Sequence, residues 1–599
     1  MGKCRSCPEE IFHEGLNFNS NINYINIIEM DRRSFITYAS ILGGSTLLQG
    51  SSTFTAKNKA KGGSKNASRE LHADVIIAGG GLGGVATALA CCRNGLNVIM
   101  TEETDWIGGQ ISQQGVPPDE HQWIETHGAP RSYREYRTRV RDYYRHNYPL
   151  IETARQDPNL NPGKGSVSRL CHEPRVAVSV LQDMLAPYMS SGKLVLLTMH
   201  KVRSAVVLGD KVQALVMESL MTGDKLVLSG NTFVDATECG DLLPLTGTEY
   251  VTGTESKKET GELHAPEKGD PKNNQSFTVC FAMDYQHDKD NVQAPPKNYT
   301  FWKNYIPEMT PAWSGRLIDL SYSDPRSLKP KRLGFDPTGK EMGDVLNLWN
   351  YRKIIDRNLF TKGSYAGDIT IVNWPQNDFF PGNLIDVSEK EFQETFERGK
   401  ELSHSLFYWL QTEAPREDGG IGWPGLRLRG DVMGTSDGMA KYPYIRESRR
   451  IKAEFTVLEE HVGADNRKLV AGEIEGQRAA SFYDSVGIGY YHIDLHPSSR
   501  GNNYIDFASL PFEIPLGALL PQRMTNLLPA NKNIGTTHIT NGCYRLHPVE
   551  WSIGEAVGCL IAFAGKNNVP FRAVRENQRL LHDFQREIEK QGIETKWPK

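Results

Sequence analysis

Four histidines and one arginine are the residues best suited to chemistry: His492, His496, His538 and His547, with Arg545 just ahead of the last. A neutral imidazole accepts a proton near pH 7, and a guanidinium stays charged throughout that range. A reaction that takes a proton from its substrate asks the protein for one base and one group to balance negative charge. His496 and His547 each directly precede a proline, and with Arg545 they are the candidate catalytic residues. Arg446, Arg449 and Arg450 form a second cationic group able to clamp a carboxylate, but an ion-paired helix face explains them better. The nine cysteines are scattered apart from Cys4/Cys7 and Cys91/Cys92. No C-x-x-C-x-x-C run offers ligands to an iron-sulfur cluster, and no Cys/His set has zinc spacing, so no metal site is expected. Cys171-His172 lacks the paired cysteine of a thiol-disulfide centre.

These side chains need a scaffold, and it begins at Asp74. An apolar run to Ala78 reads as a strand, Gly79-Gly80-Gly81-Leu82-Gly83-Gly84 has the spacing G-x-G-x-x-G, and Val85 to Arg93 reads as a helix closed by Asn94-Gly95. Gly79 suits the tight turn, Gly81 the approach of a pyrophosphate and Gly84 close packing of helix on strand, while the helix N-terminus presents unpaired N–H groups. A second strand, Val98 to Thr101, delivers Glu102, an acid placed to hydrogen-bond ribose hydroxyls. The unit reads as a dinucleotide site.

At 599 residues, with 39% hydrophobic and 23% charged residues and a net charge of -4, the chain is ordinary for a soluble globular protein of several lobes. Nothing in this balance calls for nucleic acid, and no apolar run reaches the roughly 18 residues of a membrane span. Residues 1–29 read as a polar extension. Residues 30–56, with Arg32-Arg33 before a mildly apolar stretch, resemble a twin-arginine export signal, which predicts a periplasmic protein, or a cytoplasmic one if the signal is silent. Residues 57–70 read as a linker.

Further along, Pro174 to Gly192 reads as a helix and Leu194 to Thr198 as a strand. Strands at Val202–Leu208 and Val212–Ser219 make a β-meander, and the chain returns through Thr232–Thr237 to Gly240-Asp241. That order predicts an α/β fold with a Rossmann-like FAD-binding domain of the glutathione-reductase type and an inserted mixed α/β lobe on the substrate side. The expected divisions are 71–250 and 501–565 for the FAD domain, 251–500 for the lobe, which carries a long helix over Glu389–Leu410, and 566–599 for a C-terminal helix. Residues expected at the cofactor are Gly79, Gly81, Gly84, Glu102, Gly109, Gln110, Val202, Thr237, Asn531, Gly535, His538 and Pro548. The helix entered through Pro548 would turn its positive end to the flavin pyrimidine. Trp302, Trp313, Trp349, Trp374, Trp409 and Trp423 fall in the lobe, either as stacking surfaces for a sugar-like ligand or as core.

Three blocks carry a family resemblance: Ala78–Gly84 with Thr104–Gln110, Asp235–Leu243, and Asn533–His538 with Tyr544–Trp551. Tyr444–Arg450 and Asp494–Pro497 add to it. The chain resembles the FAD-dependent oxidoreductases grouped with the flavin subunit of heterodisulfide reductase, without that subunit's iron-sulfur motifs. The resemblance implies FAD and names no substrate; the three-part FAD site together with the aromatic-rich lobe points to hydride transfer from a small polar substrate, a carbohydrate or related hydroxy compound among them, to the flavin. Two other functions stay open at this stage: a flavin subunit relaying electrons to a partner protein, and a flavin-stabilised glycan-binding protein without redox turnover.

Overall fold

In a computed structural model the described residues are 69–598, so the polar extension, the signal segment and all but the end of the linker lie outside them. The run before the glycines forms β1 (Arg69–Ala78), which starts ahead of the expected Asp74 because Arg69–Ala73 also finds strand partners. The helix α1 (Leu82–Arg93) and the strand β2 (Val98–Thr101) follow, and β2 runs parallel to β1. After α2 (Arg131–Asn147) and α3 (Pro174–Ser190), β3 (Leu194–Leu197) adds in parallel to β2. The meander forms as β4 (His200–Leu208), β5 (Lys211–Ser219) and β6 (Lys225–Asp235), each antiparallel to the next.

The longest of these, β6, belongs to both parts of the sheet. It pairs antiparallel with β5 and parallel with β1, from Arg69 opposite Leu226 to Ala78 opposite Asp235. The resulting order is β3-β2-β1-β6-β5-β4, and β7 (Leu527–Pro529) pairs in parallel with the end of β6. A late segment of the chain thus returns to the C-terminal ends of β1 and β6, where parallel sheets place their ligands. The molecule is a mixed α/β protein with one parallel and antiparallel sheet.

Side chains of β1 alternate between two cores, as strand geometry requires. Val75 and Ile77 face a core shared with α1 and α3, whereas Ile76 and Ala78 face one shared with the meander. The longest helix of that first core, α6 (His547–Asn567), which follows the short α5 (His538–Tyr544), lies against α1 at very short range: a Cβ at Gly554 would stand 2.1 Å from the Gly83 carbonyl oxygen. Between β6 and β7 the chain builds a separate core around a four-stranded antiparallel sheet, ordered Lys353–Ile355, Ile369–Val372, Phe281–Tyr285, Leu426–Leu428, and the helix α4 (Glu389–Thr412). Tyr444, Val457, Val486 and Ile493, within the 251–500 span, pack in the first core instead. The terminal helix α7 (Gln578–Gln591) buries Leu581, Phe584 and Ile588, matching its apolar face in the sequence.

All six lobe tryptophans are buried in the lobe core, so none presents a face on which a sugar could stack. Arg446, Arg449 and Arg450 do not share a helix face either. Residues 444–449 have no regular structure, Arg450 begins a short strand, and each arginine meets a different carboxylate. No helix among the described residues is long and apolar enough to cross a membrane.

Candidate functional site

The glycine loop sits between the C-terminal end of β1 and α1. Gly79 has φ +98°, and a Cβ there would stand 2.1 Å from the Ala236 oxygen, so only glycine fits. Gly81 is the N-cap of α1 and supplies no side-chain cap, which leaves the first N–H groups of the helix for a ligand. Beside this loop runs a cleft of about 460 Å³, counting the part open to solvent, lined by Gly79, Gly81, Glu102, Val202, Thr237 and Tyr442. Five residues expected at the cofactor therefore share one cavity. Glu102 accepts hydrogen bonds from Gly80 N–H at 2.9 Å, Thr104 N–H at 2.8 Å and Gln113 Nε2 at 3.0 Å. Burial nevertheless pushes its pKa up to about 7, because three donors do not replace full hydration.

A polar knot that joins the expected Gln110 and Asn531 to Lys532, Glu238 and Glu550, which were not expected, closes the other end of the loop. Lys532 Nζ, buried, donates to Glu238 Oε2 at 2.5 Å and to Asn531 Oδ1 at 3.0 Å. Gln110 Nε2 donates to the Arg545 carbonyl at 2.9 Å and to Glu550. Burial, only partly offset by Lys532, raises the Glu550 pKa. One oxygen on each of Gln110, Glu238 and Glu550 is buried without a partner. A Cβ on Gly81 would lie 2.9 Å from Glu238 Oε1, and one on Gly109 would lie 2.6 Å from it. Signals for Glu238 and Glu550 existed, since both lie inside blocks already noted; Lys532 had none. Pro548 occupies the first turn of α6, beside Glu550. Gly535 packs against Ala453 and the Phe455 carbonyl, and His538 Nδ1 pairs with Glu447 at 3.0 Å.

A second cluster gathers the candidate base and cation. His496 Nδ1 lies 2.6 Å from Asp378 Oδ2, and its Nε2 lies 3.4 Å from Asp494 Oδ2. Asp494 accepts from Arg545 Nη2 at 3.0 Å, and Arg545 Nη1 reaches the Tyr444 hydroxyl at 3.2 Å. Asp378 also accepts from Arg446 Nη2 at 2.9 Å and Thr278 Oγ1 at 2.5 Å. Burial alone would raise the Asp378 pKa; Arg446 and His496 outweigh it and hold it below the usual value. Asp494 is held well below its usual value by His496 and Arg545, again against burial. Asp119, Asp378, Asp494 and Arg352 were not expected from the sequence.

His547 has a different setting. Its Nδ1 accepts from Asp119 N–H at 3.1 Å, while the Asp119 carboxylate pairs with Arg352 at 3.2 Å. Burial lowers the His547 pKa to about 3, so the ring is neutral at physiological pH, with its proton on Nε2. Cys171 is a buried free thiol whose pKa burial pushes up to about 12, which leaves it protonated and unreactive.

The sheet order, glycine loop and cleft define a dinucleotide-binding α/β protein, with a titratable cluster beyond the cleft. A family model described as FAD dependent oxidoreductase matches residues 74–588, and the chain belongs to that family. The cofactor that goes with this family is FAD. The glycine cradle and the uncapped helix N-terminus fit the FAD pyrophosphate, and the adjoining cleft fits its adenosine half. No curated protein matches the chain. Among solved structures, the chain is similar to OxyS anhydrotetracycline hydroxylase from Streptomyces rimosus, with 10% identity over 86% of this chain and 65% of that one and a TM-score of 0.30. It is similar to L-proline dehydrogenase from P. horikoshii, with 14% identity over 31% of this chain and 24% of that one and a TM-score of 0.16. A third likeness is to the Mycobacterium smegmatis Sdh1 complex in the apo form, with 11% identity over 28% of this chain and 34% of that one and a TM-score of 0.19. The chain thus spans less than two thirds of the length of each of these structures, and at such TM-scores the likenesses carry no argument.

Proposed function

We propose that the enzyme oxidises a small polar substrate by hydride transfer, with His496 taking the substrate proton. The observation that carries this reading is the placement of His496 between Asp378 and Asp494, with Arg545 on the far side of Asp494. Bound FAD supplies the hydride acceptor. Asp378 accepts from Nδ1–H, which fixes the tautomer and leaves Nε2 as the basic nitrogen. Carboxylates on both sides compensate the positive charge that the ring gains with the proton. Arg545 neutralises Asp494 and supplies a cation beside the reacting centre. His547, with a pKa near 3, is poorly matched to removing a proton at neutral pH, so its role is to anchor Asp119 at the start of α6.

On the same reading, 71–250 and 501–565 hold FAD in the glutathione-reductase manner, for which the parallel order β3-β2-β1-β6-β7 is the support. Gly79, Gly81, Gly84, Gly109 and Gln110 surround the pyrophosphate, with Glu102, Val202 and Thr237 on the adenosine side. Asn531, Gly535, His538 and Pro548 support the flavin side, and 251–500 supplies most of the substrate side. The kinship to the heterodisulfide reductase flavin subunit and the export of the protein to the periplasm rest on the sequence blocks and on Arg32-Arg33. Cell fractionation of the wild type and of an Arg32→Lys/Arg33→Lys variant tests export.

The test of function is anaerobic bleaching of the purified flavoprotein across sugars, polyols, amines and hydroxy acids. A substrate should reduce the wild type, and His496→Asn should slow reduction while retaining FAD. Reduction at the wild-type rate in His496→Asn would remove His496 as the base.

A further inference from the structure

A pyrophosphate at the glycine loop meets two buried carboxyl groups. Glu238 is 7% exposed and Glu550 not at all. Glu238 Oε1 and Glu550 Oε1 both lack a partner, and both face the bare side of Gly81: a Cβ there would stand 2.9 Å from the first and 3.5 Å from the second. Glu238 and Gly81 also line the cleft beside the loop. The remaining oxygens are engaged, Glu238 Oε2 by Lys532 Nζ and Glu550 Oε2 by Gln110 Nε2. As carboxylates, the two free oxygens offer a phosphate only acceptors and like charge. Native proteins leave few buried polar groups unsatisfied, so this misfit asks for a cause.

The charges nearby fall one short of balance. Lys532 is the one cation against two carboxylates, and its ion pair is with Glu238. Lys201 is committed to Glu103 and Glu389, Arg449 to Asp241 and Asp386, and Arg545 to Asp494. Glu550 itself is faced by Lys532 and Glu238, by the neutral Gln110 and by the Gly83 N–H at the start of α1. Burial raises its pKa against the pull of Lys532, and Glu238 raises it further. A buried acid without its own counter-ion takes up a proton rather than bear the cost of desolvated charge. Oε2 receives the Gln110 amide, so the proton belongs on Oε1, where it turns an unpartnered acceptor into a donor facing Gly81.

We propose that Glu550 binds FAD as a neutral carboxylic acid, its Oε1–H donating to the pyrophosphate, and that FAD binding is thereby coupled to uptake of a proton. This role rests on the pyrophosphate lying at the glycine loop, and it does not depend on which substrate the flavin oxidises. An added anion beside Glu550 favours the protonated form, so the loaded site holds its proton to a higher pH than the empty one. Between those two points the dissociation constant of FAD rises with pH, by up to about tenfold per pH unit. Below them it is level.

Dilution of the FAD-loaded, full-length protein at pH 6, 7, 8 and 9, with released FAD read by its fluorescence, gives the dissociation constant. Glu550→Gln keeps an oxygen for the Gln110 amide and sets a permanent N–H donor at the Oε1 position. Glu102 also titrates near the loop, so wild type and Glu550→Gln are compared at each pH. Their dissociation constants should agree within about threefold at pH 6. At pH 9 the variant should be the tighter by roughly tenfold or more, a gain that a poorly folded variant could not give. The holoenzyme should also show an infrared band of a protonated carboxyl that Glu550→Gln removes. A ratio that stays constant from pH 6 to 9, or weaker binding by the variant at pH 9, would overturn the proton on Glu550 and leave FAD at the loop. Unchanged FAD retention in Gly81→Ala would overturn both, because the pyrophosphate would then lie away from the loop.

Discussion

Asp378 is fully buried and touches three partners: His496, Arg446 and Thr278. Exchange of its carboxylate for an amide keeps the shape and removes the acceptor that fixes the His496 tautomer. For the substrate that bleaches the flavin, Asp378→Asn is expected to lower the rate of anaerobic reduction by roughly 10²-fold or more, the range of general-base effects. FAD absorbance per protein should stay unchanged, because Asp378 does not line the cofactor cleft. Arg545 presents the opposite case, since its removal strands a charge. Arg545→Ala leaves Asp494 without its guanidinium, and breaking one side of a buried pair costs on the order of 3–5 kcal/mol. Urea unfolding should report that loss, and Arg545→Lys should recover part of it. His496 and Arg545 were legible by residue type and by their neighbours in the chain. Asp378 and Asp494 were not singled out, because an aspartate in a strand of two or three residues carries no local mark of the histidine it will meet.

At the scale of elements, α1 and α6 form the contact on which the cofactor cradle depends. Gly83 would place a Cβ 1.5 Å from the Ala530 oxygen, and Gly554 would place one 2.1 Å from the Gly83 oxygen. Both neighbours are backbone and cannot rotate away, so Gly554→Ala must push α6 off α1. Overpacking of this kind costs about 1–3 kcal/mol or more, and the displaced α6 carries Glu550 away from the loop. A lower melting temperature and a lower FAD content are expected together; an unchanged FAD content with a lower melting temperature would separate packing from cofactor binding. Strand, glycine loop and helix around β1 were readable because their periodicity and turn chemistry agree. By contrast α2 was missed: its buried face carries Tyr133, Tyr136, Val140 and Tyr144, interleaved with the buried Arg137 and Arg141. Only the ion pairs to Glu120 and Glu125 make those arginines interior residues, and those partners precede the helix in an irregular segment.

For the whole molecule, buried carboxyls set the pH dependence. Burial pushes Glu102, Asp235 and Glu262 up to about 7. Between their ordinary values near 4 and about 7, the native state holds protons that the unfolded chain has lost. Their contribution to stability is therefore complete below the ordinary values and disappears as pH rises through 7. Glu125 acts in reverse: despite partial burial, Arg137 and Arg141 lower its pKa to about 2, so its contribution is present above its ordinary value and lost as pH falls toward 2. Each raised carboxyl should take away up to roughly 1.4 kcal/mol of the FAD-free protein's stability per pH unit between its ordinary value and about 7 and nothing further above that, while His547, its pKa lowered to about 3, acts in the opposite direction below 6.5. Denaturant unfolding at pH 5, 6, 7 and 8 measures the slope. Glu262→Gln, which cannot ionise, should flatten it, and an unchanged slope would show that Glu262 does not titrate in this range.

What the chain declares by itself is local. The glycine spacing, the acid at the end of β2 and the small-residue helix after Pro548 rest on turn geometry, backbone approach and helix packing, which act over a few residues. They were enough for a dinucleotide cofactor and, with the meander, for FAD. What only the tertiary structure decided is which titratable groups meet. His496 acquires Asp378 from a short strand of the lobe, and His547 acquires the backbone of Asp119. Burial then separates the two histidines: the flanking carboxylates compensate charge on one, while desolvation keeps the other neutral. Both effects depend on distance and on loss of water, and neither has a signature in the order of residues along the chain.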